Sequence, residues 1–222
     1  MSSKSVVFVV DADMSVRKSV AAIAAALRLR VELHCTAEGF LDVFAPSQAG
    51  CLVVEERLPG LSGQELLDRL HDHQPRLPAI VLSQRASVAT AVQAMRSGAV
   101  HFFEKPCPTP ELEEAIREAV ALDARNRRQT TLLDRLEGRL ARLSTGEHEV
   151  LGLLLRGESN KGIAAQLSLS IRAVEVRRAK VMKKMHARSL VDLVQMMLTA
   201  RQPGGWKGPE PKPRSQPAGT GW

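Results

Sequence analysis

The 222-residue sequence predicts two domains, an α/β domain built on a five-stranded parallel sheet and a smaller all-α domain behind it. Three observations predict this division. Apolar runs of strand length alternate with amphipathic stretches over the first half, whereas from Ser144 onwards the apolar residues recur at helical spacing. The charge also divides. Residues 1–124 contain 12 Lys and Arg against 16 Asp and Glu, a net charge of −4, and residues 125–222 contain 19 against 8, a net charge of +11.

The first half contains five strand-length apolar segments, separated from one another by helical stretches. The predicted strands are Val6–Val10, 31–35, 51–54, 79–82 and 100–103. The predicted helices between them are 15–29, 39–44, 62–73 and 88–97. Such alternation is typical of a parallel sheet with helices on both faces, a fold in which functional groups gather at the carboxyl ends of the strands.

A long helix is predicted after the last strand. Thr109 can cap it, Pro110 suits its first position, and the helical pattern continues through the basic stretch ARNRRQ. Four leucines follow at spacings of three, four and three: Leu133, Leu136, Leu140 and Leu143. This pattern indicates either a short coiled-coil seam or an amphipathic helix that packs on its own domain.

Serines that can serve as N-caps precede the helices predicted in the second half. These helices cover 144–156, 159–167, 170–185 and 189–200, and the first opens with a capping box from Ser144 to Glu147. The turn 168–170 joins two of them as in a helix-turn-helix, which makes 170–185 the candidate recognition helix. Residues 202–222, rich in Pro and Gly, are predicted to be a disordered tail.

The recognition helix has an apolar stripe and an opposite face suited to duplex DNA. Val174, Val181 and Met185 form the stripe. On the other face, Glu175 can accept from a cytosine amino group and Val176 can contact a thymine methyl group, while the basic residues contact phosphates. The predicted DNA-contacting residues are Lys161, Ser170, Arg172, Glu175, Val176, Arg177, Ala179, Lys180, Lys183 and Lys184.

The second half resembles the DNA-binding domain of LuxR-type transcription regulators, in the form seen in FixJ-like response regulators. Three motifs carry the resemblance over residues 137–201: LSxxExEVL, NKGIAxxLxxS and VEVxRxxVMxKM. One departure is Ala173, where the family usually has Thr. The missing hydroxyl would lie near the DNA backbone, so we do not assume the family's sequence preference for this chain.

The same family implies a receiver domain of flavodoxin-like fold over residues 5–122, followed by a helical linker, 123–136. The segments ERLPGLSG (56–63) and AVQAMRSGAVHFFEKP (91–106) resemble receiver segments. The resemblance implies a pocket that binds Mg²⁺. Its ligands are two acidic residues after the first strand and an acceptor aspartate after the third, and a lysine pairs with the phosphoryl group once the aspartate carries it. By position, Asp11 matches the first acid, Ser83 the switch hydroxyl, Phe102 the switch aromatic and Lys105 the lysine.

Two pocket positions depart from the family. Ala12 replaces the second acid, with Asp13 one residue further on, and Glu55 stands at the acceptor position. Because Mg²⁺ requires near-ideal octahedral oxygen geometry, these changes should weaken its binding and disfavour phosphorylation. We therefore expect no cofactor, no other metal and no sensor kinase as phosphoryl donor. The longer Glu55 could instead reach Lys105.

The sequence thus predicts a sequence-specific transcription regulator, not an enzyme, that acts independently of phosphorylation. Either Glu55 holds a fixed, active-like state, or the receiver is a degenerate domain kept for dimerisation. The alternative from another class is a phosphorelay or protein-interaction module, still switched by modification of the receiver, whose DNA binding is lost or unspecific. Expected partners are double-stranded DNA, a second copy in a homodimer and RNA polymerase.

Several features predict a cytoplasmic protein. No apolar run approaches the roughly 18 residues of a membrane span, and the first residues lack the apolar core of a secretory signal. Cys35, Cys51 and Cys107 are an odd number without close spacing, which excludes a disulfide scaffold and a zinc finger. His71 and His73 are predicted to be solvated rather than metal ligands.

Overall fold

Five strands and nine helices form in residues 5–71 and 77–200, the parts of the chain that the computed structural model describes. The strands are β1 (Val6–Val10), β2 (Arg30–His34), β3 (Gly50–Glu55), β4 (Ala79–Ser83) and β5 (Ala99–Glu104). The helices are α1 (Met14–Ala26), α2 (Ala37–Leu41), α3 (Gly63–His71), α4 (Val88–Arg96), α5 (Thr109–Leu140), α6 (Thr145–Leu155), α7 (Asn160–Leu167), α8 (Ile171–Met185) and α9 (Leu190–Ala200). The chain divides between Thr130 and Thr131 into two units.

The strands of the first unit pair in parallel in the order β2-β1-β3-β4-β5, which confirms the predicted sheet. β1, β3 and β4 are buried along their whole length because helices cover both faces. Successive side chains of β1 alternate between the faces. Val6, Phe8 and Val10 pack with α2, α3 and α4, whereas Val7 and Val9 pack with α1 and α5.

The predicted elements are found with small shifts at their ends, and α2 and β2 both lie earlier in the chain than predicted. The helix predicted over 39–44 is found at Ala37–Leu41, because the side chain of Thr36 accepts a hydrogen bond from the N–H of Gly39 at 3.2 Å and caps the helix there. The strand predicted over 31–35 occupies Arg30–His34. The shift of α2 is set by this cap, a local hydrogen bond that the apolar pattern does not report.

The second unit is built from the four predicted helices and the end of α5. Ser144, Ser159 and Ser170 cap α6, α7 and α8, each through its side-chain oxygen. Ser168 ends α7 in the left-handed conformation, with φ 55°, and the chain turns directly into α8. The helix-turn-helix prediction is therefore confirmed.

The leucine series at the end of α5 packs inside its own unit. Leu136, Leu140 and Leu143 are buried in one cluster with residues of α6, α8 and α9, and Leu133 packs against its edge. Of the two alternatives for this pattern, the structure therefore favours the amphipathic helix on its own domain. The leucines are covered within the chain, so they supply no argument for a dimer.

Some sequence predictions stay untested. The boundaries 5–122, 123–136 and 137–201 remain predictions, although α5 is one continuous helix over Thr109–Leu140. The tail 202–222, His73 and the side chain of His71 lie outside the described residues. Within the residues that are described, no helix combines the length and apolar character needed to span a membrane, and the three cysteines are free.

Candidate functional sites

An ion-paired pocket lies at the carboxyl edge of the sheet. Asp11 follows β1, Glu55 ends β3 and Lys105 follows β5, so the strand order brings all three together. The N–H of Lys105 also donates to the carbonyl of Ser83 at 2.8 Å, which fixes its backbone to the end of β4. The sheet therefore aims one ammonium group at two carboxylates.

Lys105 bridges these two carboxylates, and all three side chains are largely buried. Its Nζ lies 2.6 Å from Oδ2 of Asp11 and also donates to Oε2 of Glu55. The side chains of Asp11 and Glu55 are 3% and 4% exposed, and that of Lys105 is 14% exposed. Burial by itself lowers the pKa of Lys105, but the hydrogen bonds and charges of the two carboxylates outweigh burial and raise that pKa above its ordinary value.

Asp13 does not replace the acid missing at Ala12. Its carboxylate is exposed and caps α1, accepting from the N–H of Ser15 at 2.7 Å. The hydrogen bonds from Ser15 lower the pKa of Asp13. Its backbone N–H, rather than its side chain, contacts the pocket by donating to Oδ1 of Asp11 at 2.8 Å.

The donor set of this pocket does not fit Mg²⁺. Two carboxylates, Asp11 and Glu55, reach it, and Lys105 takes one oxygen of each. Mg²⁺ prefers an octahedral shell of oxygen ligands at short distance, and here an ammonium group already holds one oxygen of each carboxylate. Among the described residues, no group of three or more His, Cys, Asp or Glu side chains is arranged to hold a metal ion.

The two predicted switch residues, Ser83 and Phe102, make their side-chain contacts outside the bridge formed by Lys105. Ser83 is buried, and its hydroxyl donates to Oε2 of Glu56, while the N–H of Arg85 donates to the Ser83 hydroxyl at 3.2 Å. Phe102 is partly buried against the core that packs with α2, α3 and α4. Glu56 was not among the residues predicted for this pocket, although its place next to Glu55 at the end of β3 indicates it.

The recognition helix α8 presents the predicted face to solvent. Its stripe, Val174, Val181 and Met185, is fully buried. The residues of the predicted DNA face are all exposed, as is Lys161 on α7: Arg172, Glu175, Val176, Ala179, Lys180 and Lys183. Ser170 caps the helix by accepting from the N–H of Ala173 at 3.1 Å.

Three basic residues of α8 have local contacts. Arg178 donates to Oδ1 of Asn160 at 3.0 Å, which agrees with its predicted local pairing and ties α8 to α7. The guanidinium of Arg177 lies beside Gly146, where a Cβ atom would be 2.6 Å from Nη1. Lys184 donates to Oε2 of Glu147 at 2.6 Å and to the carbonyl of Arg142 at 3.0 Å.

Glu147 joins the first turn of α6 to the recognition helix. The residue is 4% exposed, and its Oε2 also accepts from the N–H of Ser144 at 2.8 Å, which completes the capping box. The hydrogen bond from Lys184, followed by the one from Ser144, holds the pKa of Glu147 below its ordinary value. The capping box was predicted from the sequence, whereas the ion pair between Glu147 and α8 was not.

Comparison with known families matches both units. Residues 7–117 match the response regulator receiver domain, and residues 141–197 match the luxR family of bacterial regulatory proteins. The chain is 41% identical to the transcriptional regulatory protein FixJ of Azorhizobium caulinodans, over 87% of this chain and 92% of the relative. It is 34% identical to the response regulator protein TodT of Pseudomonas putida, over 86% of this chain and 85% of that protein.

Solved structures agree with these relatives. The response regulator StyR is 36% identical and superposes with a TM-score of 0.79, covering 88% of this chain and 98% of its own. Full-length FixJ from B. japonicum is 35% identical with a TM-score of 0.55, covering 89% of this chain and 98% of its own. The similarity therefore extends over both units.

The bridging role of Lys105 gives a stability prediction. Lys105→Met should lower the free energy of unfolding of the first unit by about 3–5 kcal/mol, because it leaves two buried carboxylates without a counter-charge. Adding Glu55→Gln should restore part of this loss by removing one of those charges. Urea unfolding measures both effects, and Lys18→Met, at an exposed lysine of α1, is the matched control. If Lys105→Met and Lys18→Met lower the free energy of unfolding equally, the bridging role is contradicted.

The lowered pKa of Glu147 gives a pH prediction for the second unit. A carboxylate whose folded pKa is depressed stabilises the fold above its ordinary pKa of 4.5, and this stabilisation is lost as the pH falls through the folded value. Glu147→Gln should therefore destabilise the unit at neutral pH, and its difference from wild type should disappear on acidification. Denaturant unfolding between about pH 3 and pH 7, the range in which carboxyl groups titrate, measures this difference in the free energy of unfolding. A pH-independent difference would show that the charge of Glu147 contributes nothing.

Proposed function

This chain belongs to the FixJ-like response regulators, with a receiver domain and a LuxR-type DNA-binding domain, and we propose that it is a sequence-specific transcription regulator that works without phosphorylation. Its relatives are transcriptional regulators rather than enzymes. Duplex DNA is its partner through the LuxR-type domain. A second copy and RNA polymerase are further proposed partners, and the cytoplasm is the proposed site of action.

The observation that carries phosphorylation independence is the bridge from Lys105 to Glu55 and Asp11. Two negative charges and one positive charge leave the bridge with a net charge of −1, and every phosphoryl donor is itself anionic. Without a divalent cation, nothing in this set offsets the charge that accumulates during phosphoryl transfer. For Glu55 to attack phosphorus, its carboxylate would also have to leave the ammonium of Lys105.

The same bridge supports a fixed receiver state. Lys105 is the residue expected to pair with a phosphoryl group, and here its ammonium already pairs with the longer carboxylate of Glu55. The carboxylate of Glu55 thus places a negative charge near the position that a phosphoryl group would occupy. On this hypothesis Glu55→Gln changes DNA affinity. On the other hypothesis, a degenerate domain kept for dimerisation, the same variant leaves DNA affinity unchanged.

Sequence-specific binding is supported by the exposed face of α8. Glu175 and Val176 offer a carboxylate and a branched apolar group to base edges, and both side chains are exposed. Arg172, Lys180 and Lys183 surround them with positive charge. Base contacts specify sequence and phosphate contacts supply affinity, so this mixture fits a regulator that selects an operator.

Phosphorylation independence is tested with acetyl phosphate and Mg²⁺. Wild type and Glu55→Asp should both remain unlabelled, because Ala12 still lacks a metal ligand in the single variant. The double variant Ala12→Asp/Glu55→Asp, which restores both carboxylates, should take up label and is the positive control. Phosphorylation is read by mass spectrometry of the intact chain. Stable label on wild type that is lost in Glu55→Gln, or robust labelling of Glu55→Asp, would overturn the proposal.

Sequence specificity is tested by selection from random duplexes. Wild type should enrich a motif, and charge reversal of Arg172, Lys180 and Lys183 should weaken binding at least ~100-fold, because three phosphate attractions become repulsions. Arg135→Glu, at an exposed position of α5 in the same unit, is the matched control and should bind as wild type. If wild type binds all duplexes equally, the regulator proposal fails, and the interaction-module alternative takes its place.

A further inference from the structure

We infer that the second unit carries an additional binding site for the DNA backbone in a basic cleft beside the reading face of α8. This inference rests on the DNA-binding function proposed above. Arg142, Glu147, Lys180, Lys183, Lys184 and His186 line the cleft, which has a volume of about 520 Å³. Arg142 precedes α6 and His186 ends α8, and both lie outside the set of DNA-contacting residues predicted from the sequence.

The charge of the cleft is strongly unbalanced. Four of its side chains are those of Arg or Lys, and Glu147 is its one carboxylate, which leaves a formal net charge of +3 when His186 is not counted. The carboxylate of Glu147 is already committed, since Oε2 accepts from Lys184 and from the N–H of Ser144. In the described part of the chain, no ion pair engages the side chains of Arg142, Lys180 or Lys183.

The surroundings of the cleft increase its positive potential. Arg177 lies against Gly146, the residue before Glu147 in the first turn of α6, and adds another guanidinium at the amino end of that helix. The amino end of a helix carries a partial positive charge, so cations gathered there repel the helix dipole as well as one another. Such a concentration of charge is unfavourable in the free protein, and a bound anion would relieve it.

The cleft is held in shape rather than loosely assembled. Lys184 donates to the carbonyl of Arg142 at 3.0 Å and to Glu147 at 2.6 Å, so the segment before α6 is tied to α8. In the same unit, Arg139 donates to the carbonyl of Met185 at 3.0 Å, next to His186. The backbone on both sides of the cleft is therefore positioned before any ligand arrives, which lowers the entropic cost of binding.

The position of the cleft identifies the anion as a backbone phosphate of the bound duplex. Lys180 and Lys183 belong both to the exposed reading face of α8 and to the cleft wall. A helix in the major groove is bordered by the phosphates of both strands. A duplex read by Glu175 and Val176 would thus present a phosphate to the cleft, where Arg142 and His186 would add contacts to those of the lysines.

The test compares the salt dependence of DNA binding in full-length variants. Arg142→Ala/His186→Ala should weaken binding to the selected duplex roughly tenfold and reduce the slope of log K against log salt by about 1, while the ratio of specific to random binding stays unchanged. Arg142→Lys/His186→Ala should recover most of the slope, because charge at residue 142 is restored. Arg135→Ala, at the exposed arginine of α5, should match wild type, and thermal unfolding confirms that every variant is folded.

The outcomes separate this inference from the function on which it rests. If wild type shows no sequence preference but the double variant still loses salt dependence, the regulator proposal fails and the cleft assignment stands. If the double variant keeps the wild-type slope and affinity, the cleft does not contact DNA and the inference fails alone. Binding of inorganic phosphate that depends on Arg142, together with an unchanged DNA slope, would make the cleft a free-anion site and overturn its assignment to the duplex.

Discussion

The receiver domain depends on one ammonium group that neutralises two buried carboxylates. Lys105 is the counter-charge for Asp11 and Glu55 at the edge where β1, β3 and β5 end. Carboxylates buried to this extent remain charged only when they are paired. The bridge therefore constrains the three strand ends. The same contact engages the carboxylates and the ammonium group that a phosphorylation site would need. Structure and proposed regulation here rest on the same three side chains.

The DNA-binding domain uses a similar arrangement for a different purpose. Glu147 is buried in the first turn of α6 and is paired with Lys184 of the recognition helix. This pair fixes how α8 lies against α6, while the rest of α8 keeps its basic side chains in solvent. One lysine of α8, Lys184, thus pairs within the domain, whereas Lys180 and Lys183 remain exposed and can contact an anionic partner.

Much of the fold and part of the site could be predicted from periodicity, caps and charge. The strands, the helices and the contact between Glu55 and Lys105 were expected, because repeating apolar patterns report burial and the added methylene of Glu55 extends its reach. The burial of Leu136 and Leu140 was one of two alternatives, since a heptad-like pattern does not say which surface covers it. The start of α2 was misplaced because the hydrogen bond of Thr36 is a local feature outside that pattern.

The sequence by itself determined the two-domain organisation, the loss of an acid at Ala12, the substitution at Glu55 and the basic face of α8, because each depends on residue type and spacing along the chain. Tertiary structure decided which charged groups meet. It paired Ser83 with Glu56, assigned Asp13 to a helix cap and brought Arg142 and His186 into one cleft. These contacts join residues from separate elements, and their distances are set by packing, which neither periodicity nor composition encodes.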